Sequence, residues 1–108
     1  WDWPVGAFDA VVAIFVHFPA IVRASVHARA AAALTPGGSA LVECFHPNQA
    51  GGRSGGPPAG MLCSSAQLAA DFDALTPILQ LDGVVMLDEG PRHQGPAHVA
   101  RFIGAKGA

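Results

Sequence analysis

Charged side chains are scarce in this sequence. Asp, Glu, Lys and Arg make up only 13% of the 108 residues, about half of the roughly 25% that is typical of soluble domains. The formal net charge is −2, and no cluster of Lys and Arg occurs anywhere along the chain. The sequence therefore lacks the basic surface that binds nucleic acids or anionic membranes, and we expect neither as a partner.

Cysteines and long apolar runs are scarce as well. The two cysteines, Cys44 and Cys63, are too few for a disulfide framework and favour a reducing cytoplasm. Together with His46 they lack the paired spacing of a zinc site, so we expect no metal. The longest apolar run, 10–16, is far shorter than the roughly 20 residues that a membrane helix needs.

Residues that build a core are nevertheless plentiful. Apolar residues make up 51% of the chain, and the length suits one domain rather than two. The 13 glycines and 9 prolines exceed the average share but stay below the share that is typical of disordered chains. We therefore expect a single folded domain over 1–108.

The pattern of apolar runs and helix breakers predicts two helices and four strands. The first helix covers the alanine-rich segment 20–34, with Val22, Val26 and Ala30 facing inward and Arg23 and His27 facing outward. A second helix begins near Ser64, where Gln67 completes a capping box. The four strand-length runs are 8–16, 39–45, 78–87 and 97–103.

The alternation of strands and helices predicts an α/β sheet with right-handed crossovers. The nearly unbroken apolar run 8–16 is typical of a parallel strand that is covered on both faces. The short Gly- and Pro-containing turn at 90–96 makes the last strand antiparallel to the strand before it. The Gly- and Pro-rich segment 46–63 is too long for a simple connector, and we expect a mobile loop with a functional role.

Three segments follow the predicted parallel strands or lie in the last turn. Ligands of open α/β sheets bind beyond the carboxyl ends of the parallel strands. The segments at that edge are 15–18, 45–58 and 89–95. The side chains of interest in them are His17, His46, Arg53, Glu89 and His93.

Several short motifs occur in a characteristic order. FDAVV at 8–12, followed by a helix and LTPGG at 34–38, resembles the second half of a class I S-adenosylmethionine-dependent methyltransferase. Five further motifs resemble the bacterial subgroup of tellurite-resistance and thiopurine methyltransferases, and the match covers essentially the whole chain. These motifs are WP at 3–4, IFVHF at 14–18, FHPNQ at 45–49, SGGP at 54–57 and EGPRHQG at 89–95.

The resemblance implies a fold and an activity. The chain would form part of a Rossmann-like sheet, strands 4 to 7 of the family in the order 4-5-7-6. The implied reaction moves a methyl group from S-adenosylmethionine to a small-molecule acceptor, and no catalytic base is assigned. The resemblance implies cofactor contacts at Ala13, Ile14, Phe15 and Val16, and substrate contacts at His17, Phe45, Gln49 and Arg53.

The departures from the family suggest an alternative. The Gly-rich turn and the acidic residue that hold the cofactor in such enzymes, after strands 1 and 2, have no counterpart here. We therefore expect the C-terminal half of a methyltransferase domain that is inactive by itself. The alternative is a non-catalytic α/β fragment that forms a homo-oligomer through the exposed edge of strand 8–16. A flavodoxin-type domain would need a phosphate-binding loop where only VHFP, at 16–19, follows the first strand.

Some candidates also have a structural interpretation. Phe15 and Val16 could line a cofactor or pack in the core. Glu43 could orient a substrate or pair with a local donor, because an unpaired charge in an apolar strand is costly. Glu89 and His93 could form an acid/base pair or stabilise their turn. Arg53 could hold an anionic group, or its loop could be a simple connector.

Overall fold

The computed structural model describes residues 3–49, 61–88 and 94–108. Their order of elements is strand, helix, strand, helix, strand, strand, so the predicted α/β class and element order are confirmed. A short 3-10 turn, Pro47–Gln49, follows the second strand. The main elements are strand β1 (Phe8–Ile14), helix α1 (Ala20–Ala33), strand β2 (Leu34–Phe45), helix α2 (Ser65–Asp71), strand β3 (Thr76–Asp88) and strand β4 (Gln94–Ala105).

The four strands form one mixed sheet in the order β1-β2-β4-β3. β1 and β2 are parallel and are joined by α1, whereas β4 runs antiparallel to both β2 and β3. This is the arrangement that the resemblance implied, and the predicted antiparallel direction of the last strand is confirmed.

Two strand boundaries, the end of β1 and the start of β2, differ from the prediction for a local reason. β1 ends at Ile14 rather than at residue 16, because Phe15 adopts a left-handed φ of 54° that takes the chain out of the strand. β2 begins at Leu34 rather than at residue 39. The predicted breaker Gly37 has a φ of 83° and donates its N–H to the Lys106 carbonyl at 3.0 Å, so the segment stays attached to the sheet.

The main core lies between the sheet and the two helices. α2 begins with the predicted capping box, because Ser64 Oγ accepts from Gln67 N–H and Gln67 Oε1 accepts from Ser64 N–H. Alanines of α1 let this helix approach the strands closely. The fully buried large side chains of this core are Leu34, Leu68, Phe72 and Phe102.

Two predictions about packing are wrong. His27 was expected to face outward but is buried, whereas Val22, expected in the core, is 42% exposed. The reason is Asp71 of α2, which packs beside α1 and bonds His27, a partner that helical spacing alone does not reveal. Strand β1 was expected to be covered on both faces, yet Val12 is 60% exposed because α1 covers the other face.

None of the helices in the described part of the chain combines the length and the apolar character needed to cross a membrane.

Candidate functional site

The candidate site lies at the carboxyl ends of β1 and β2. Because these strands are parallel and adjacent, the residues after Ile14 and those after Phe45 meet at the same edge of the sheet. Of the eight predicted contact residues, Phe15, His17 and Phe45 are in mutual contact there.

Phe15 has an unusual backbone conformation. Its φ of 54° lies in the left-handed region, which costs a residue with a β-carbon about 1–2 kcal/mol. The Phe15 N–H still donates to the Glu43 carbonyl at 2.8 Å, so β2 holds the turn in place. Backbone strain of this kind is concentrated at functional sites, because only a rigid surrounding structure can maintain it.

Three stacked rings form what we call the ring cluster, namely Phe15, His17 and Phe45. The ring centroids of Phe15 and Phe45 are 4.7 Å apart at an interplanar angle of 11°. Those of His17 and Phe45 are 5.6 Å apart at 9°. Phe45 is only 1% exposed, whereas Phe15 and His17 are half-buried. The buried Phe45 ring therefore supports two rings that remain partly accessible.

A hydrogen bond determines which nitrogen of His17 carries a proton. The Nε2 atom of His17 accepts the Phe45 N–H at 3.1 Å. An accepting nitrogen has no proton, so in the neutral ring the proton is on Nδ1. In this tautomer Nδ1 is the donor nitrogen of the His17 ring.

The remaining predicted contact residues are placed differently. Ala13 packs against the main core. Val16 is half-exposed and borders a small cavity beneath the edge, whereas Ile14 lies on the sheet face away from the helices. Gln49 ends the turn Pro47–Gln49. Arg53 and the segment 89–93, with Glu89 and His93, lie outside the described residues.

A groove of about 200 Å³ lies on the sheet face away from the helices. Glu43 of β2 and Arg101 of β4 are directly opposite each other in the strand register, and Arg101 Nε donates to the Glu43 carboxylate. Glu43 thus has the local partner that its structural interpretation requires. The groove is lined by Ile14, Leu41, Glu43, Leu79, Arg101 and Ile103.

A polar group formed by His46, His98 and Asp82 lies beside the ring cluster. The rings of His46 and His98 stack at 4.2 Å, and His46 Nε2 is 3.6 Å from Asp82 Oδ1. Burial lowers the pKa of His46, and His98 lowers it further, against the opposing effect of Asp82. Burial raises the pKa of Asp82, but hydrogen bonds from Ser65 Oγ at 2.5 Å and Ser65 N at 2.8 Å outweigh it, so this pKa is below its usual value. His46 is therefore held neutral next to a carboxylate.

Sequence reasoning missed a polar triad between the helices. Asp71 Oδ2 accepts from Arg23 Nε at 2.8 Å and is 2.8 Å from His27 Nδ1. The hydrogen bond to Asp71 raises the pKa of Arg23. Burial lowers the pKa of His27, although Asp71 acts in the opposite direction. In the sequence, the only indication of this triad was that Arg23 and His27 are four residues apart on one helix and so share a face.

The two cysteines, Cys44 and Cys63, border the same small cavity as Arg23 and His27 of the polar triad. The Sγ atoms of Cys44 and Cys63 are 2.8 Å apart and both side chains are buried. His46, the third residue considered for zinc, contacts Asp82 and His98 instead. Across the ranges 3–49, 61–88 and 94–108, no group of three or more His, Cys, Asp or Glu side chains is arranged to hold a metal ion.

Comparisons with known proteins identify the fold. No protein-family model and no curated protein matches the sequence. Among solved structures, the cyclase SpnF matches with a TM-score of 0.68 and 15% identity, over 100% of this chain and 53% of that chain. The 1,6-didemethyltoxoflavin-N1-methyltransferase of Burkholderia thailandensis, solved with 1,6-didemethyltoxoflavin and S-adenosylhomocysteine, matches with a TM-score of 0.62 and 19% identity, over 96% of this chain and 46% of that chain.

A third structure, described as a possible exported protein from Bordetella parapertussis, matches with a TM-score of 0.59 and 14% identity. The match covers 97% of this chain and 41% of that chain. The chain therefore spans about half the length of the solved structures that it matches. Its fold is methyltransferase-like.

Proposed function

We propose that this chain contributes to S-adenosylmethionine-dependent methyl transfer to a small-molecule acceptor, as part of a larger or assembled domain. The observation that carries the proposal is the likeness of the fold to a methyltransferase solved with S-adenosylhomocysteine. The motifs described above favour the tellurite-resistance and thiopurine subgroup. A reducing cytoplasm is part of the proposal, because two cysteines are too few for a disulfide framework.

The residues at the end of β1 fit a cofactor of this kind. Phe15 offers the face of an aromatic ring and Val16 a half-exposed apolar side chain. Ligand sites of this type are lined mainly by apolar and aromatic groups, and an aromatic face attracts a cation. S-adenosylmethionine supplies an activated methyl group on a positively charged sulfur. Ala13 and Ile14 would hold the strand end that positions these contacts.

The same edge would hold the methyl acceptor. His17 can donate from Nδ1, because its Nε2 already accepts the Phe45 N–H. The buried Phe45 ring would contribute by keeping the rings of Phe15 and His17 in place. Gln49 and Arg53 would supply further contacts to the acceptor. Alignment of an acceptor with an activated donor provides much of the rate enhancement by itself. Methyl transfer by alignment of this kind requires no general base.

Calorimetry with S-adenosylhomocysteine tests the proposal. Because the Gly-rich turn and the acidic residue that hold the cofactor in such enzymes have no counterpart in this chain, we expect only weak heat of binding, with a Kd in the millimolar range, about −4 kcal/mol. Val16→Asp places an anion at the end of β1 and should abolish this heat. Ile78→Asp is the matched control, because Ile78 is also apolar and is 65% exposed, against 49% for Val16, but lies at the start of β3, at the opposite edge of the sheet. Its titration should match that of the wild type.

Two results would count against a cofactor site at the carboxyl edge of this chain. One is the absence of any heat at millimolar S-adenosylhomocysteine. The other is equal binding by the Val16→Asp and Ile78→Asp variants, which would place the ligand away from the carboxyl edge.

A second candidate function is a non-catalytic α/β module that self-associates. β1 is at one edge of the sheet, and its Val12 and Ile14 side chains are 60% and 48% exposed. An exposed apolar edge strand is a template for pairing with another chain. A second copy of this chain can present the same strand antiparallel across a two-fold axis, which would continue the sheet.

Light scattering after size-exclusion chromatography tests the second candidate. The wild type should elute as a dimer, and Val12→Lys should convert it to a monomer because a charge at the edge opposes strand pairing. Ile21→Lys is the control, since Ile21 is exposed on α1 rather than on the sheet edge. A wild-type monomer at high concentration would exclude self-association of this kind.

A further inference from the structure

Cys44 and Cys63 lie close enough to react with each other. Their Sγ atoms are 2.8 Å apart, about 0.75 Å longer than the 2.05 Å of an S–S bond. Cys44 is at the carboxyl end of β2 and Cys63 immediately precedes α2. The Cys63 N–H donates to the Phe45 carbonyl at 3.2 Å, so the backbone holds the two residues in this register.

We propose that Cys44 and Cys63 form a redox-active dithiol that hydrogen peroxide converts into an intramolecular disulfide. The assignment rests on the sulfur geometry together with a small cavity and a cationic neighbour.

The cavity restricts the oxidant. Its volume is about 10 Å³, the space that roughly one water molecule needs. It is bordered by both cysteines and by Arg23, His27 and Met61, among others. Both thiols are at most 3% exposed, so a bulky disulfide such as oxidised glutathione is excluded. Hydrogen peroxide, with only two heavy atoms, requires the smallest opening of the cavity among common thiol oxidants.

The surroundings distinguish the two sulfurs. The hydrogen bond with Cys44 lowers the pKa of Cys63, Arg23 lowers it further, and burial opposes both effects. The same hydrogen bond and burial raise the pKa of Cys44. Asp71 and Asp82 also oppose the lowering at Cys63. The geometry distinguishes the sulfurs independently, because Cys44 Sγ donates to the Cys63 carbonyl oxygen at 3.5 Å and so retains its proton. Since the thiolate is the nucleophile, Cys63 is the attacking sulfur and Cys44 remains a thiol that can resolve the intermediate.

The reaction then has two balanced steps. The Cys63 thiolate attacks one oxygen of hydrogen peroxide, the O–O bond breaks, and the products are Cys63 sulfenic acid and hydroxide, which takes up the proton that Cys63 released. Cys44 next attacks the Cys63 sulfur, the S–O bond breaks, and the thiol proton leaves with the departing oxygen as water. Overall, two thiols and one hydrogen peroxide give one disulfide and two waters.

The wild-type chain by itself tests the product. After brief treatment with hydrogen peroxide, the intact mass should fall by two hydrogen atoms, and neither thiol should be alkylated when the chain is then unfolded in urea, unless a reductant is added. The oxidised chain should also have a Tm higher by about 10 °C, because the new crosslink restricts the unfolded chain. Oxidised glutathione at the same concentration should leave the mass unchanged.

Single-serine variants test the roles of the two sulfurs. Cys44→Ser leaves Cys63 without a resolving thiol, so peroxide treatment should raise its intact mass by one oxygen atom, the mass change of a sulfenic acid. Cys63→Ser should gain this oxygen at least ~10-fold more slowly, because burial keeps the remaining thiol mainly protonated. Circular dichroism identifies a variant that fails to fold, and the wild-type experiment stands without either variant.

Three outcomes would overturn the proposal. They are two thiols that are both alkylated when peroxide-treated protein is unfolded, a disulfide that links two chains, and equal rates of oxygen uptake by the two folded serine variants.

Discussion

The Nε2 atom of His17 accepts a hydrogen bond from the backbone N–H of Phe45 at 3.1 Å. This bond connects the segment after β1 to the last residue of β2, and it brings the His17 ring parallel to the Phe45 ring. The geometry of the ring cluster therefore depends on one donor and one acceptor at the carboxyl edge of the sheet.

The His17→Phe variant should be less stable than the wild type. The new ring can still stack, but it removes the acceptor of a buried N–H, which costs about 1–3 kcal/mol. His17→Gln is the matched control, because its side-chain oxygen can accept the same hydrogen bond. Urea denaturation should rank the wild type and His17→Gln above His17→Phe. Equal stability of all three chains would show that the bond contributes nothing.

Substitutions of Phe15 should reverse the usual order of Ala and Gly. Both remove the ring, but Ala retains the penalty of a φ of 54°, whereas Gly adopts this conformation freely. We expect Phe15→Gly to be more stable than Phe15→Ala by up to about 1 kcal/mol. At Val12, in the extended part of β1, Ala should instead be the more stable residue. Thermal unfolding of the Gly and Ala variants at both positions measures the reversal. If Ala were the more stable residue at Phe15 as well as at Val12, the prediction would be refuted.

Gly38 should tolerate no β-carbon. A Cβ at this position would lie 2.9 Å from the Thr35 carbonyl oxygen and 3.0 Å from the Asp9 carbonyl oxygen. Because both are backbone atoms, Gly38→Ala should destabilise the fold by about 1–3 kcal/mol. Gly107→Ala should have almost no effect, since no atom lies within 4 Å of that Cβ. Denaturant midpoints measured side by side would contradict the prediction if the two variants were equal.

His27 should make stability depend on pH. Burial lowers the pKa of His27 in the folded chain, so the unfolded chain binds more protons once the pH falls below the ordinary value of about 6.5. The contribution of His27 to the free energy of unfolding is therefore fully present above pH 6.5 and is lost as the pH falls through the folded pKa. Urea denaturation between pH 8 and pH 5 should show this decline.

The His27→Gln variant isolates this effect. It should show a smaller decline over the same range, and the decline that remains should include His46, whose pKa is also lowered by burial. Asp82 stays ionised in this window because its pKa is below its usual value. Parallel pH profiles of the wild type and His27→Gln would exclude His27 as the source.

Features that depend on neighbouring residues in the chain were predictable. The capping box of Ser64 and Gln67 is recognisable because its partners are three residues apart, and the structure contains it. The alternation of apolar runs with an alanine-rich segment predicted the order of elements for the same reason. The candidate edge followed from that order, because parallel strands end on the same side.

Features that depend on distant residues were not predictable. Asp71 is 44 residues from His27 in the chain, and only the packing of α2 against α1 gives that buried imidazole its partner. The end of β1 depends on the left-handed backbone of Phe15, a conformation that an apolar run gives no reason to expect. The contact of the two cysteine sulfurs likewise requires the approach of α2 to the end of β2.

The sequence by itself determined the α/β class, the order of the elements and the shared edge at which β1 and β2 end, because periodicity, breakers and caps act over a few residues. Only the tertiary structure decided that Phe15, His17 and Phe45 stack, that Glu43 pairs with Arg101, and that Cys44 meets Cys63. Each of these contacts joins segments that are far apart in the chain, so each exists only once the sheet and helices have packed.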